Sequence, residues 1–357
     1  MMHLMEPLFN LAYLGVVITL GVRLLFERKR DAKVYGVMAI LLGLGDAFHL
    51  IPRIVSHLTE GGFERYVTAL SWGEFVTSIT MTVFYLLFYD YYCNRSGDTD
   101  RKKRVLLYAL AAVRIVLTAL PQNLWGTKGS YLFGILRNLP FAAMGLLLIL
   151  WTWKHRQKEG LRHTSLLIAV SFICYLPVVV GARFVPVLGA LMIPKTVAYV
   201  LLVAVGYRYF IPGFKAENLL KLSASLLIAG LLGGVFFREF TKAFGWAAQT
   251  MLGVTHTHLI AMGFLFYAVL FAIFQQEKGE LPQIKRAVTV YNTGLVWTVV
   301  TMMVRGIYQI TAQGQTLFPD AALSGMAGLG HVILAVGLVW IMARAIRMKA
   351  DGEQPNG

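Results

Sequence analysis

Polar and apolar positions alternate here on a long scale. Runs of about 20 predominantly apolar residues are separated by short basic or glycine-rich connections, and a helix needs about that length to cross roughly 30 Å of hydrocarbon. The runs show no period-2 alternation, which argues against a membrane barrel. In lipid, only helices or closed barrels satisfy their own backbone polar groups. The pattern therefore predicts an all-α, polytopic membrane protein with about 11 transmembrane helices. The expected spans are 7–26, 34–55, 66–89, 105–120, 131–153, 164–184 and 186–207, then 222–237, 253–274, 287–307 and 323–343.

A polar joint divides these spans into seven plus four. The expected domains are a seven-helix membrane domain at 1–211, a joint at 212–221, a four-helix membrane domain at 222–345 and a polar tail at 346–357. Every connection is short, so no soluble catalytic or sensor domain is expected, and no cleavable leader is evident before the first span.

Composition supports the membrane reading. The chain of 357 residues is 57% hydrophobic and 14% charged, well below the charge a water-facing surface carries. Its formal net charge of +15 would suggest nucleic acid if the basic residues formed a patch. They sit instead in clusters between apolar runs, so they read as topology determinants and no nucleic-acid partner is expected. With the N-terminus outside and the C-terminus in the cytoplasm, inward connections collect about 22 Lys and Arg against about 7 outward. The expected location is a cell membrane, the bacterial cytoplasmic membrane, with the lipid bilayer as the first partner. Cys93 and Cys174 form neither a disulfide framework nor a metal pattern.

Ionisable residues inside spans are costly and usually face one another or a cavity. Asp46, His49 and Arg53 fall three and four residues apart and share one helix face. Glu74, Arg114, Arg137, Asn138 and Lys195 lie in the third, fourth, fifth and seventh spans. Together they predict one internal polar network. It would serve either as a polar pathway for a transporter or small-ligand module, or only as charges neutralising one another within the packing. Seven spans with a lysine in the last resemble the rhodopsins in layout, but the motif around the retinal-carrying lysine is not found at Lys195.

Histidines mark the last four spans. His256 and His258 lie in the ninth and His331 in the eleventh, preceded by Gly328 and Gly330. On a helix His256 and His258 point about 200° apart, so they cannot face one ligand. Neutral imidazole ligates haem iron, copper or zinc, and a bis-histidine haem takes one imidazole from each of two helices. His258 with His331 is the expected axial pair for a b-type haem or metal ion. His256 would be a second-site ligand or hydrogen-bond partner, and Arg305 a partner for haem propionates. Counted from the helix ends, His258 and His331 differ in depth by about one turn. Quinol is an expected electron donor, or another redox partner, although no residue specifies a quinone site. The alternative, that these histidines only pack and hydrogen-bond, stays open.

HTHLIAMGF (256–264), YNTGL (291–295), MVRGI (303–307) and SGMAGLGHVILAVGL (324–338) resemble an uncharacterised bacterial family of four-helix membrane domains over about 253–343. HTHLIAMG is also distantly similar to the H-x-H helix of haem–copper oxidase subunit I. That resemblance implies haem ligation by His256 and His258 on opposite faces. The oxidase copper site needs a further His-His pair, which this chain lacks, so oxygen reduction is not implied.

Overall fold

The computed structural model describes residues 2–277, 279–312 and 320–352. Helix accounts for 84% of the chain, and no strand occurs among the described residues. The principal helices are α1 (Met2–Leu25), α2 (Arg30–His57), α3 (Val67–Ser96), α4 (Arg101–Ala119), α5 (Tyr131–Lys154), α6 (Thr164–Gly181) and α7 (Met192–Phe210). They continue as α8 (Ala216–Ala243), α9 (Leu252–Phe274), α10 (Pro282–Thr311) and α11 (Asp320–Gly352). Ten helices among the described residues are long and apolar enough to cross a bilayer. The expected fourth span, α4, is a helix of 19 residues but falls outside those ten. Four consecutive basic residues, Arg101 to Arg104, open it, and Arg114 sits in its body. The protein is thus an all-α, multi-pass membrane protein. The segment expected as a polar tail begins as helix, since α11 runs on to Gly352, and residues 353–357 lie outside the described residues.

Local chemistry sets the helix ends. Asp100 caps α4 by accepting the Lys102 N–H at 2.8 Å, and Ser130 caps α5 by accepting the Phe133 N–H at 3.4 Å. Gly97 closes α3 at φ +74°, a conformation that L side chains rarely adopt, and donates its N–H to the Cys93 carbonyl.

The chain groups into two compact units. The N-terminal unit comprises Val16–Ser56 and Phe63–Pro212, and the C-terminal unit comprises Met1–Gly15, His57–Gly62 and Gly213–Gly357. In the N-terminal unit, α3 carries an aromatic core of Phe84, Tyr85, Phe88, Tyr89, Tyr91 and Tyr92, all almost fully buried. Tyr35 of α2 donates its hydroxyl to the Leu202 carbonyl of α7 at 2.7 Å. Gly73 lets α3 meet the α2 backbone at Phe48 and His49, and Thr77 donates to the Gly45 carbonyl at 3.0 Å.

In the C-terminal unit α10 is the central helix. Its span is 61% buried, against 28% for α8 and 22% each for α9 and α11. Tyr267, Tyr291, Leu295, Ile284 and Leu334 form its core. Gly294 packs on the α11 backbone at Leu334, while Gly330 and Gly337 of α11 pack on Thr298 and Tyr291 of α10. Removing Cβ atoms allows this close approach where lipid tails offer no hydrophobic drive.

Candidate functional site

α9 is not a uniform helix. Residues Leu259–Leu265 form a π-helical stretch that begins one residue after His258. Such stretches displace the normal ladder of carbonyl acceptors and recur at functional sites. Two neighbours satisfy carbonyls within it. Tyr291 of α10 donates its hydroxyl to the Met262 carbonyl at 2.8 Å, and Ser223 of α8 donates to the Phe264 carbonyl at 2.7 Å. Tyr267 donates to Asn292 Oδ1 at 2.9 Å, which ties α9 to α10 a second time. Tyr291 and Asn292, which had no place in a sequence-level site, therefore hold the helix that carries the histidines.

The rings of His258 and His331 lie 6.2 Å apart between centroids, with planes at 84°. The depth difference expected from counting is absorbed. His258 Nδ1 sits 3.0 Å from the Val254 carbonyl, and His331 Nδ1 sits 2.9 Å from the Ala327 carbonyl. A carbonyl only accepts, so each Nδ1 is the donor in these contacts, and Nε2 is the ring nitrogen left to meet any ligand. Holding one ring nitrogen on a backbone carbonyl is the usual way a metal-binding imidazole is oriented. His258 is half-buried and His331 is exposed.

The α11 face around His331 is built of small residues, Ser324, Ala327, Gly328 and Ala335, at helical spacing. A Cβ on Gly328 would meet nothing within 4 Å. Gly330 differs, because a Cβ there would come 2.7 Å from Trp297 Cδ1 and from Thr298 Oγ1. Thus Gly328, one turn before His331, faces open space, whereas Gly330 serves the α10–α11 contact. Trp297, which the sequence did not single out, donates its indole N–H to the Met326 carbonyl at 2.8 Å.

His256 turns elsewhere. Its ring stacks on Phe237 of α8 at 6.2 Å and 17°, against Gly233 and Gly234. Its buried Nδ1 has no hydrogen-bond partner among the described residues. The three histidines named as a metal set are therefore not gathered, and no cluster of three or more His, Cys, Asp or Glu suited to a metal occurs among the described residues. Arg305 is half-buried on α10, next to Gly306, which packs on the α9 backbone at Leu252.

Several polar residues of the N-terminal unit contact one another, and others lie near enough to act on them. Arg137 on α5 pairs with Glu74 of α3, donates to Asn123 Oδ1 at 3.0 Å, and lies 4.4 Å from the centre of the Trp125 ring. Asn138 accepts from Tyr175 of α6 at 2.9 Å. Lys195 of α7 lies 4.8 Å from the centre of the Tyr175 ring and 5.4 Å from that of Tyr199, and Asp46 and Arg114 are the charges acting on it. His49 Nδ1 is 3.2 Å from the Leu70 carbonyl and feels Glu74, Arg53 and Asp46. Arg53 also lies over Phe63, at 5.6 Å. Arg114 of α4 is 2% exposed and sits 3.3 Å over Phe141.

One expectation needs correction: Glu74 is not sequestered. Its side chain is 53% exposed, since the carboxylate reaches Arg137 from an outward position on α3. The sequence also gave Asn123 no role. Asn123 terminates α4 by donating Nδ2 to the carbonyls of Leu117, Thr118 and Leu120 at 2.7, 3.2 and 2.9 Å. An Asn two residues after a proline at a helix end was the available signal.

No curated protein matches this chain, and no solved structure matches it. Residues 216–348, which hold the histidine pair, match the model of a family described as "Protein of unknown function (DUF2871)", so this part of the chain is similar to an uncharacterised family.

Proposed function

We propose that the last four helices hold a b-type haem, or a metal ion, between His258 and His331, and that the protein is a membrane redox or sensing protein. The observation that carries this is the ring geometry. Two imidazoles sharing one metal, each with a metal–nitrogen bond of about 2.0 Å and about 1.1 Å more to the ring centre, would have centroids up to about 6.2 Å apart. The observed centroid distance is 6.2 Å. With each Nδ1 turned to a helix carbonyl, Nε2 is the ring nitrogen that would ligate the metal. Two neutral imidazoles from two helices suit low-spin haem iron, which supplies one-electron chemistry when bound.

The remaining residues fit as supports. The α11 face beside His331 carries only short side chains, Ser324, Ala327, Gly328 and Ala335, against which a flat group could lie. Arg305 lies seven residues from Thr298, about 10 Å of helix rise beyond the level of Gly330, in reach of propionates that extend along the helix. The fit to His256 is weaker, since it turns to α8 and would serve a second site or donate a hydrogen bond there. Quinol or another redox partner would supply the electrons. The proposed orientation, N-terminus outside, rests on the basic connections, and the proposed location is a bacterial cytoplasmic membrane.

The test is a reduced-minus-oxidised absorption spectrum, with elemental analysis, of the full chain purified from haem-replete cells. Six-coordinate b-haem bands are expected, lost in His258→Ala and His331→Ala and kept in His256→Ala. A colourless, metal-free preparation would remove the reading. A second reading is favoured by the polar residues around Arg137 and Lys195. In it the N-terminal unit is a transport or ligand-binding module for a small polar solute.

A further inference from the structure

Arg114 is one of the most deeply buried charged side chains in the N-terminal unit. Its guanidinium is 2% exposed, and Nε and Nη1 have no hydrogen-bond partner among the described residues. The groups acting most strongly on it are Tyr175, Tyr199, Arg137 and Tyr85, with no carboxylate among them. Phe141 offers only a ring face, at 3.3 Å. A cation–π contact partly offsets desolvation of a guanidinium, yet it satisfies none of its N–H donors.

Charge counting points the same way. The eight residues of the polar group include four cations, Arg53, Arg114, Arg137 and Lys195, against two carboxylates, Asp46 and Glu74. Glu74 is taken by Arg137, and neither carboxylate is among the groups acting most strongly on Arg114. Arg114 is left with an unmatched charge and unused donors in a buried aromatic setting. Buried charges in proteins are paired or coordinate a ligand, because leaving one alone in a low dielectric is expensive.

We propose that Arg114 is the centre of an anion-binding site that takes a compact monoanion, a halide or a short carboxylate. The Arg114 guanidinium would donate the principal hydrogen bonds, Lys195 would add a second positive charge, and Tyr175 and Tyr199 would form the walls. Arg114 is 2% exposed with the Phe141 ring 3.3 Å away, so the proposed ligand is an ion of a few heavy atoms rather than a phosphorylated or peptidic one. This names the solute class of the ligand-binding reading above and rests on it. Binding and flux are separable, so binding without uptake removes transport and leaves the site.

The experiment is a thermal-unfolding titration of the full chain in lipid nanodiscs. Sodium chloride or sodium acetate replaces sodium gluconate at constant ionic strength, which holds screening fixed. A saturable rise in unfolding temperature is expected with chloride, acetate or both, as binding to the folded state requires. The two arms distinguish halide from carboxylate. Arg114→Gln should abolish the rise, and Arg238→Gln, an exposed position on α8, should keep it. Should R114Q not fold, Arg114→Lys takes its place and should raise the midpoint concentration about tenfold by losing the planar fork. A wild-type chain with no saturable rise, or an unchanged midpoint in the Arg114 variant, overturns the proposal.

Discussion

Tyr291 donates its hydroxyl to the Met262 carbonyl at 2.8 Å, inside the π-helical stretch that starts one residue after His258. A tyrosine on the most buried helix of its unit thus satisfies a carbonyl on the helix that carries the histidine pair. Ser223 does the same from α8 at Phe264.

Tyr291→Phe removes this donor and leaves its volume nearly unchanged. It should lower stability by about 1–2 kcal/mol, the cost of stranding a buried acceptor. Ser223→Ala should act similarly on the other side. The unfolding temperature of the purified chain reads both. A Tyr291→Phe protein as stable as wild type would mean the π-helical stretch does not depend on the bond.

Two glycines of α11 should respond oppositely. Gly330→Ala puts a Cβ 2.7 Å from Trp297 and Thr298 and should cost about 1–3 kcal/mol through overpacking. A Cβ at Gly328 meets nothing within 4 Å, so the unfolding temperature of cofactor-free Gly328→Leu protein should stay close to wild type. On the haem reading, the same substitution should sharply reduce haem content by filling the volume beside His331. Full haem occupancy in Gly328→Leu would place any bound haem away from this face.

Asn123→Ala should be the most damaging single change at the end of α4. It removes a donor to three carbonyls and the acceptor for Arg137, and is expected to cost about 2–3 kcal/mol. Asn123→Asp keeps the acceptor but loses the Nδ2 donor, so it should not rescue. Thermal unfolding of the two variants side by side checks this.

The connection after α3 carries a pH-dependent contribution. Burial would raise the Asp98 carboxyl, but Lys103, the Asp100 N–H and the Tyr92 hydroxyl together hold it below its ordinary value of 3.8. The folded state therefore binds fewer protons than the unfolded chain just below that pH. Its stabilisation is fully present above the ordinary value and is lost as pH falls through the depressed one. Asp98→Asn should lower stability at neutral pH and flatten the decline below about pH 4. An unchanged acid limb in unfolding temperature against pH would show that Asp98 contributes nothing.

Length and apolarity alone placed ten of the eleven principal helices, because hydrocarbon thickness and the need to satisfy backbone groups act on each segment independently of its neighbours. Span 105–120 is the marginal one: α4 is present, yet its basic first turn keeps it from qualifying on apolarity. Cost in lipid likewise marked Arg114, Arg137 and Lys195 as worth following. The same logic misjudged Glu74, since hydropathy does not report which way a residue faces.

Spacing on one helix could separate His256 from His258, because 200° is a property of the local backbone. Whether His258 meets His331 depends on tilt and register between two helices 73 positions apart in sequence at those residues. That was decided by Gly294, Gly330 and Gly337 drawing α11 onto α10, and by Tyr291 and Ser223 satisfying carbonyls in a π-helical stretch of α9 that no periodicity announces. Helix identity is written in consecutive residues. The encounter of two imidazoles is a sum over packing contacts, and only the assembled bundle sets it.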